Sequence, residues 1–444
     1  MGRCAVSTQK QKRPFALRAL AAFAGTLAIL FVLLLAAYAL PGERVRQHVY
    51  DSARTIQNEG LYPEYLGFKL FQMDNYTDTL MLFEAASADE LPPLQAMMTN
   101  TAYNVDNFET LADDLAWYIE KDWSTGAQRT DAPALEPFSY ARYWHGYLIW
   151  LRPLLLLMPY TGVRIVQYIV LFSLLVVVLV QLRRRCGLRA AVWFAVSQLA
   201  VSVWFVPHQV QYFTCFMIAY AGCAWVLAKP RRSDVLCLGL LVLGTATAFC
   251  DLLVTPIITL GLPLTCWLLE PQQRLRGGVP QCALAVGGSL CWGTGYALCW
   301  AGKWALAGAV TGNNVLADAL HQAEVRTTAD TWHGMELTWR NIFYFLYDTL
   351  NSHHLFWPAL AVLAVLIALF ILSIRSKTVL VRALPLALTT CMTPAWFVLL
   401  RTHSIQHGWF TWRALGLTVF AGLAFLYYAC DLRAARRRLQ KGSI

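Results

Sequence analysis

Ten apolar runs, separated by short polar turns or by long loops, dominate the chain. Each run is about 17–25 residues long, the length that an α-helix needs to cross the hydrocarbon core of a bilayer. The runs cover residues 15–40, 163–182, 189–206, 211–228, 234–249, 253–269, 279–301, 355–374, 379–400 and 411–430. This pattern predicts an all-α membrane protein with about ten transmembrane helices.

Positive charge marks one side of these runs. Basic clusters lie at every second boundary: Arg183-Arg184-Arg185, Lys229 with Arg231 and Arg232, Arg274 with Arg276, Arg375 with Lys377 and Arg382, and Arg433 with Arg436, Arg437 and Arg438. Cytoplasmic loops of membrane proteins carry an excess of Lys and Arg. We therefore expect these segments and both termini to be cytoplasmic. Topology also accounts for the net charge of +10, so nucleic-acid binding is not expected.

Composition agrees with this class. The chain is 57% hydrophobic and 14% charged, whereas soluble domains are roughly 45–50% apolar and 25% charged. Most of the twelve cysteines lie within or beside apolar runs, and loops 41–147 and 303–354 contain none, so no disulfide framework is expected. The first run ends in Ala37-Tyr38-Ala39, which resembles a signal cleavage site, but it is too long for a secretory signal. We expect a membrane helix there, with cleavage of residues 1–39 as the alternative.

The runs divide the chain into six segments. These are a cytoplasmic N-terminus with the first helix (1–40), a large first extracytoplasmic loop (41–162), transmembrane helices two to seven (163–301), a second extracytoplasmic loop (302–354), helices eight to ten (355–430) and a basic cytoplasmic tail (431–444). Within the first loop, residues 41–147 carry 17 acidic and 7 basic residues. Apolar spacing of three to four residues predicts amphipathic interfacial helices over 45–60 and 101–121. A short apolar half-helix is expected over 147–158.

Two carboxylates in the first loop are the leading catalytic candidates. Asp74 and Asp78 are four residues apart, so they share one face if this segment is helical. A carboxylate near the membrane surface could accept the proton of an attacking hydroxyl as a general base. The alternative is a solvated acidic turn.

Two further candidates lie near the ends of apolar runs. Arg142 and His145 stand among aromatic residues, which form either an interfacial belt or a surface for a sugar and a phosphate. Asp251 lies between two apolar runs. A carboxylate at membrane depth is costly and indicates function, but that cost disappears if Asp251 lies in the headgroup region.

The most specific polar segment precedes the last apolar run. It contains Arg401, His403, His407 and Arg413 with three aromatic residues between them. Arg413 falls inside the apolar pattern, so we expect it to face the protein interior and to need an anionic partner, either a substrate phosphate or an acidic side chain. Lys303 and Arg340 in the second large loop are further candidates for binding an anion. No metal-ligand spacing is evident, so no metal or other cofactor is predicted.

These parts resemble the GT-C superfamily of polytopic glycosyltransferases. Tyr143-Trp144-His145-Gly146 through Gly162-Val163-Arg164 is similar to the segment that follows the first loop in that family, although its usual His-Pro-Pro is absent. Residues 249–256, together with 403–413, are similar to a group of uncharacterised bacterial membrane proteins. No acidic pair directly follows the first helix, where some GT-C families keep theirs.

The resemblance implies a transferase that works on the extracytoplasmic face of a bacterial cell membrane. The donor would be a polyprenyl-phosphate sugar and the acceptor a hydroxyl, attacked with inversion. Asp74 or Asp78 would be the base. Arg413 would hold the leaving phosphate, with Arg142, Lys303, Arg340 or Arg401 assisting, and Asp251 would position one of these arginines. Nothing in the sequence identifies the sugar, the acceptor, the dependence on a divalent metal or the oligomeric state.

Three other functions fit the same pattern less well. A lipid-linked sugar flippase or other transporter typically has internal repeats, polar residues at mid-span and sizeable cytoplasmic loops, none of which the sequence shows clearly. A polysaccharide polymerase or ligase also has ten or more spans with a large outer loop, and it stays an alternative. A purely structural or receptor role is the third.

Overall fold

The structure is a computed structural model of the full chain. It describes residues 14–431 apart from 89, 104–110, 112–136, 329–330, 333–334, 337, 339–340, 342, 353 and 375. The described part is all-α except for two small hairpin sheets, one of which joins residues on either side of the gap in the first loop. This agrees with the fold class that the apolar runs predict.

The first part of the chain contains one long helix and a series of short elements. These are α1 (Phe15–Tyr38), α2 (Glu43–Glu59), 3-10 turns at Tyr65–Gly67 and Lys69–Phe71, α3 (Asn75–Ser87), α4 (Pro93–Thr99), β1 (Thr101–Tyr103), β2 (Pro137–Ser139) and α5 (Leu148–Leu155). Helix α2 buries Val45, Val49, Ala53 and Ile56 on one face, as its spacing predicts.

The middle and last parts are mostly long helices. They are α6 (Tyr160–Cys186), α7 (Leu188–Ala200), a 3-10 helix (Val203–His208), α8 (Val210–Ala228), α9 (Ser233–Cys250), α10 (Ile257–Leu268), α11 (Pro271–Arg276), α12 (Val279–Thr311), α13 (Val315–Thr328), β3 (Thr331–Trp332), β4 (Met335–Glu336), α14 (Tyr344–Ser352), α15 (Phe356–Ser373), α16 (Lys377–Leu399), α17 (Arg401–Gln406), α18 (Gly408–Thr411), a 3-10 turn (Trp412–Ala414) and α19 (Leu415–Ala429).

Seven helical segments of the described residues are long and apolar enough to cross a membrane. They are α1, α6, α8, α9, α12, α16 and the continuous segment Gly408–Ala429. Helices α14 and α15 together meet the same criterion but bend by 116°. Helices α7 and α10 are apolar but shorter, at 13 and 12 residues. The protein is therefore a multi-pass membrane protein.

The contacts between helices separate the bundle into two ends. At the basic end, Arg18 pairs with Asp234 (2.9 Å), Arg185 pairs with Glu270 (2.8 Å), and Arg274 donates to the Tyr428 hydroxyl (2.6 Å). The opposite, loop end carries Asp74, Asp251 and Arg413 together with the long loops. The charge sorting in the sequence thus corresponds to a spatial separation.

Helices α9 and α12 pack side by side in the same direction through small residues. A Cβ on Gly244 would lie 2.1 Å from the Trp292 carbonyl oxygen, and one on Gly295 would lie 2.2 Å from the Leu241 oxygen. Only glycine permits this backbone approach, which is the usual way that membrane helices pack closely. The contact fixes the middle of α12 against α9.

The first loop departs from the sequence prediction at one point. Residues 101–103 form strand β1, paired antiparallel with β2 so that Thr101 lies opposite Ser139, instead of beginning a helix. Most of the helix predicted over 101–121 lies outside the described residues. The predicted half-helix over 147–158 corresponds to α5.

Candidate functional site

Asp74 caps the helix that carries the first-loop carboxylates. Its side chain accepts hydrogen bonds from the Thr77 backbone N–H (3.0 Å) and the Thr77 hydroxyl (2.9 Å), the standard role of Asp at a helix N-terminus. Its own N–H donates to the Gln209 side-chain oxygen (2.9 Å). Burial raises the pKa of Asp74, and the Thr77 hydrogen bonds oppose that shift. Both carboxylate oxygens therefore have local donors.

Asp78 joins α3 to two membrane helices. It accepts a short hydrogen bond from the Tyr160 hydroxyl at the start of α6 and another from the Gln211 N–H (3.3 Å) in the first turn of α8. The Tyr160 oxygen in turn accepts from the Val210 N–H (3.2 Å). Burial raises the pKa of Asp78 to about 7, although the Tyr160 hydrogen bond and the Arg164 charge act in the opposite direction.

Arg413 lies next to this carboxylate group and lacks an acidic partner. Its guanidinium sits 4.5 Å from the centre of the Tyr212 ring. It donates to the Trp409 carbonyl (2.9 Å) and, at 3.4 Å, to the carbonyls of Leu70 and Gln72. None of the ion pairs among the described residues includes Arg413. Leu70 and Gln72 belong to the segment just before Asp74, and Tyr212 lies in the first turn of α8, so Arg413 and the Asp74–Asp78 segment both lie near the start of α8.

A bidentate ion pair between Arg164 and Glu59 lies near Asp78. Arg164 contacts both oxygens of Glu59, at 2.5 and 2.8 Å, and so links α2 to α6. Burial acts to raise the pKa of Glu59, but hydrogen bonds from His208 and Arg164 outweigh it and lower this pKa to about 2. The resemblance draws attention to Arg164, whereas Glu59 has no distinguishing signal in the sequence.

Asp251 lies in the turn between α9 and α10. Its Oδ2 accepts the Val254 N–H (3.0 Å), whereas its buried Oδ1 has no hydrogen-bond partner among the described residues. Burial raises the pKa of Asp251 to about 7, and the neighbouring Cys215 thiol opposes this shift. Asp251 is thus a buried carboxylate with an oxygen still able to accept a proton.

Two histidines lie against this turn. His403 Nε2 is 2.9 Å from the Leu253 carbonyl oxygen, and the His403 and His407 rings are 4.8 Å apart. Burial lowers the pKa of His403 well below its usual range and that of His407 to about 4, and the Arg326 charge adds to both shifts. Both rings are therefore neutral at physiological pH.

A cavity of about 130 Å³ opens beside Leu253 at the loop end. Its wall contains two arginines, Arg142 and Arg326, and a set of aromatic side chains: Tyr143, Tyr296, Trp300, Trp304 and Trp396. The Arg142 guanidinium lies 4.6 Å from the Tyr140 ring centre and 3.3 Å from the Asp318 carboxylate. We call this space the aromatic cavity.

Three of the five aromatic side chains in this wall, Tyr296, Trp300 and Trp304, come from one face of α12. Trp292, Tyr296, Trp300 and Trp304 recur every four residues, and consecutive ring centres are 4.8, 5.0 and 5.9 Å apart. Residues at this spacing share a helix face, so the stripe is readable in the sequence. Neither this stripe nor Arg326 was among the candidate residues predicted from the sequence.

Two of the candidate side chains lie inside the scaffold, away from the cavity wall. The Lys303 ammonium is fully buried and donates to Asn100 Oδ1 (2.6 Å) and the Met97 carbonyl (2.7 Å). His145, also buried, contacts Glu84 (2.7 Å) and the Tyr140 carbonyl (3.0 Å). A sugar or phosphate at the cavity wall therefore does not reach either side chain directly.

The remaining candidates add little to the geometry. Arg401 begins α17 and is half-buried, and Arg340 lies outside the described residues. Within the part of the chain that the structure describes, no group of three or more His, Cys, Asp or Glu could hold a metal ion.

Fold and site together define a polytopic α-helical membrane protein with buried carboxylates, neutral histidines and an arginine-and-aromatic cavity gathered at one end of the bundle. No protein-family model, curated protein or solved structure matches the chain.

Proposed function

We propose that the protein is a membrane glycosyltransferase that moves a sugar from a polyprenyl-phosphate donor to an acceptor hydroxyl. The observation that carries the proposal is the aromatic cavity, whose Arg142 and Arg326 lie among tryptophan and tyrosine rings beside the Asp251 turn. Arginine binds phosphate, and aromatic rings provide an apolar face for a sugar or an isoprenoid. Both are the features that a lipid-phosphate sugar requires.

The topology proposed for this function has ten crossings, with the basic end and both termini in the cytoplasm of a bacterial cell. Helices α7 and α10 supply the two short crossings. Arg189 at the start of α7 contacts Tyr427 near the basic end (2.5 Å), whereas His208, after the following 3-10 helix, contacts Tyr65 at the loop end (2.7 Å). The positive-inside rule then puts the aromatic cavity on the extracytoplasmic face.

The compartment limits the choice of donor. Nucleotide sugars are cytosolic, so an enzyme whose site opens outside needs a sugar already attached to a membrane lipid. The phosphate of such a donor lies at headgroup level, where the arginines of the aromatic cavity could hold it. No cofactor is needed, because a lipid phosphate is a good leaving group.

The proposed step is a direct displacement. The acceptor oxygen attacks the anomeric carbon, the bond from that carbon to the phosphate oxygen breaks, and the electron pair leaves with the polyprenyl phosphate. A carboxylate takes the acceptor proton, and the configuration inverts. Arg142 and Arg326 stabilise the negative charge that develops on the leaving phosphate, as fixed cations do in other transfer reactions.

Two carboxylates compete for the role of base. Asp251 retains an oxygen without a hydrogen-bond partner and adjoins the aromatic cavity through Leu253. Asp78, which the sequence favours together with Asp74, already accepts hydrogen bonds from the Tyr160 hydroxyl and the Gln211 N–H. We therefore take Asp251 as the first candidate and Asp78 as the second, with Asp74 and Arg413 as residues that hold the first loop against α8.

A transfer assay tests the proposal. Purified protein in liposomes is given radiolabelled polyprenyl-phosphate sugars, and labelled product is separated from lipid. We expect transfer by the wild type, loss in Asp251→Asn and weakening in Arg326→Gln. Transfer by none of the available donors, together with movement of the lipid-linked sugar across the bilayer, would replace this proposal with the flippase alternative. Chain extension of a lipid-linked glycan would instead identify a polymerase.

A further inference from the structure

We propose that a second cavity, at the basic end, binds the phosphate headgroup of an anionic membrane lipid. The cavity measures about 250 Å³ and lies between α11, the start of α12, the start of α16 and the end of α19. It is at the opposite end of the bundle from the aromatic cavity. The inference therefore does not depend on the proposed glycosyl transfer.

Two arginines provide the charge. Arg274 donates to the Tyr428 hydroxyl (2.6 Å) and lies 4.9 Å from that ring centre, while its buried Nε has no partner among the described residues. Arg382 forms no ion pair or hydrogen bond through its side chain within the described part of the chain. The carboxylate of Glu270, just before α11, is already paired with Arg185 (2.8 Å). Two positive charges at the cavity therefore lack an acidic partner.

The cavity has a polar, fixed wall. Gln281 donates through Nε2 to the Gln273 side-chain oxygen (3.0 Å), and both residues are buried. Gly277 closes the turn between α11 and α12, where a Cβ would lie 3.1 Å from both the Cβ and the carbonyl oxygen of Arg382. The close approach of this turn to α16 brings Arg274 and Arg382 to one cavity.

A lipid phosphate fits this cavity better than a free anion. Leu275 and Val279 beside it are 83% and 68% exposed, and large apolar side chains at a membrane interface contact acyl chains. Basic cavities between membrane helices on the cytoplasmic side attract anionic headgroups. The combination matches a ligand that has a phosphodiester next to hydrocarbon, such as phosphatidylglycerol.

The test compares two double variants of the full chain in detergent. Arg274→Gln/Arg382→Gln removes the two cavity charges. Arg276→Gln/Lys377→Gln removes two charges from the same two helices at exposed positions outside the cavity, so it is a matched control. Phosphatidylglycerol is titrated into each purified protein, and bound lipid is counted by native mass spectrometry. Thermal unfolding is followed in parallel to establish that each variant is folded.

We expect the cavity variant to bind the first phosphatidylglycerol at least about tenfold more weakly than the wild type. The control should change by less than about threefold, and phosphatidylcholine should bind weakly to all three proteins. An equal loss in the control would overturn the proposal, because the effect would then be general surface charge. Displacement of the lipid by an equal concentration of inorganic phosphate would also overturn it, since the cavity would then recognise a free anion.

Discussion

Asp78 and Asp251 are two buried carboxylates at the same end of the bundle, and they differ in how many of their oxygens accept hydrogen bonds. Burial raises the pKa of each to about 7. Asp78 uses both oxygens, to accept from Tyr160 and Gln211. Asp251 accepts from the Val254 N–H through one oxygen, and its other oxygen has no hydrogen-bond partner among the described residues, although the neighbouring Cys215 thiol, a weak donor, acts to lower its pKa. Similar burial and pKa therefore accompany different capacities for chemistry.

The difference separates a structural role from a chemical one. A carboxylate that accepts the Gln211 N–H in the first turn of α8 stabilises that helix start and joins it to α3 and α6. A carboxylate with a free lone pair next to a cavity can take a proton without disturbing its neighbours. The polarity pattern of the sequence cannot make this distinction, because both residues are aspartates beside apolar segments.

The largest expected effect is a difference in transfer rate between the Asp251 and Asp78 variants. Asp251→Asn should lower the transfer rate by at least about 100-fold, the usual contribution of a general base, because the amide cannot accept the proton. Asp78→Asn should lower it by less than about tenfold. Transfer rates are measured with saturating donor in liposomes. The reverse order would assign the base to Asp78.

The next effect is a difference in the free energy of unfolding between the Asp78 and Asp251 variants. Asp78→Leu leaves the Tyr160 hydroxyl and the Gln211 N–H buried without an acceptor, so it should lower the free energy of unfolding by about 2–4 kcal/mol. Asp251→Leu removes the acceptor of the Val254 N–H and of the neighbouring Cys215 thiol, which is only a weak donor, and should cost about half as much. Thermal unfolding in detergent measures both. Equal losses would remove the structural distinction drawn here.

A smaller effect concerns the aromatic cavity. Arg326→Gln should raise the KM for the lipid-phosphate donor by about tenfold, as expected for the loss of one charge-assisted phosphate contact, while the KM for the acceptor stays unchanged. Arg54→Gln, an exposed arginine on α2, is the control. A change in acceptor KM alone would place the donor elsewhere.

The smallest effect is the pH dependence between pH 6 and 7. A base must be deprotonated to act, so with a pKa of about 7 the value of kcat/KM should rise about fivefold between pH 6 and 7. It should level off above pH 8. The residual activity of Asp251→Asn should lose this dependence, and that of Asp78→Asn should keep it. A flat profile in the wild type would argue against either aspartate as the base.

The contribution of the two aspartates to the free energy of unfolding should fall as the pH rises, whereas kcat/KM should rise. Because the folded pKa of both aspartates lies above the ordinary 3.8, the folded protein binds more protons than the unfolded chain between about pH 4 and 7. These groups therefore add stability as pH falls through 7. Burial lowers the pKa of His407 to about 4 in the folded protein, below its ordinary value of 6.5. The unfolded chain therefore binds more protons at this residue between these two values, and His407 lowers the free energy of unfolding as the pH falls below 6.5. Asp78→Asn should flatten the first of these trends in a series of unfolding curves.

Much of the fold could be predicted from the apolar runs, because each run corresponds to helical structure. The differences lie where local chemistry interrupts a run. The run over 189–206 ends as a helix at Ala200, since Ser202 takes a left-handed conformation (φ 57°) and Pro207 follows within a 3-10 helix. The run over 253–269 begins as a helix only at Ile257, after the Asp251 turn and Pro256.

The site was harder to predict than the fold, because its members are brought together by contacts between distant segments. Arg413 and Asp74 are both evident as polar residues, but their proximity depends on the contacts of Arg413 with Leu70 and Gln72. Lys303 has the charge of a phosphate ligand, yet burial against Asn100 and Met97 gives it a scaffold position. The stripe from Trp292 to Trp304 was readable, and its four-residue period is the signal to look for.

The length of α12 determines the height at which the aromatic cavity meets the membrane. Its 33 residues extend about 50 Å, whereas the hydrocarbon core is about 30 Å thick. With its first turn at the membrane surface of the basic end, we expect the helix to leave the hydrocarbon near Trp300, at the level where tryptophan and tyrosine concentrate in membrane proteins. The glycine contact fixes the position of the helix along α9. Under the proposed topology, the length of α12 and its packing against α9 would hold the aromatic cavity level with the lipid headgroups.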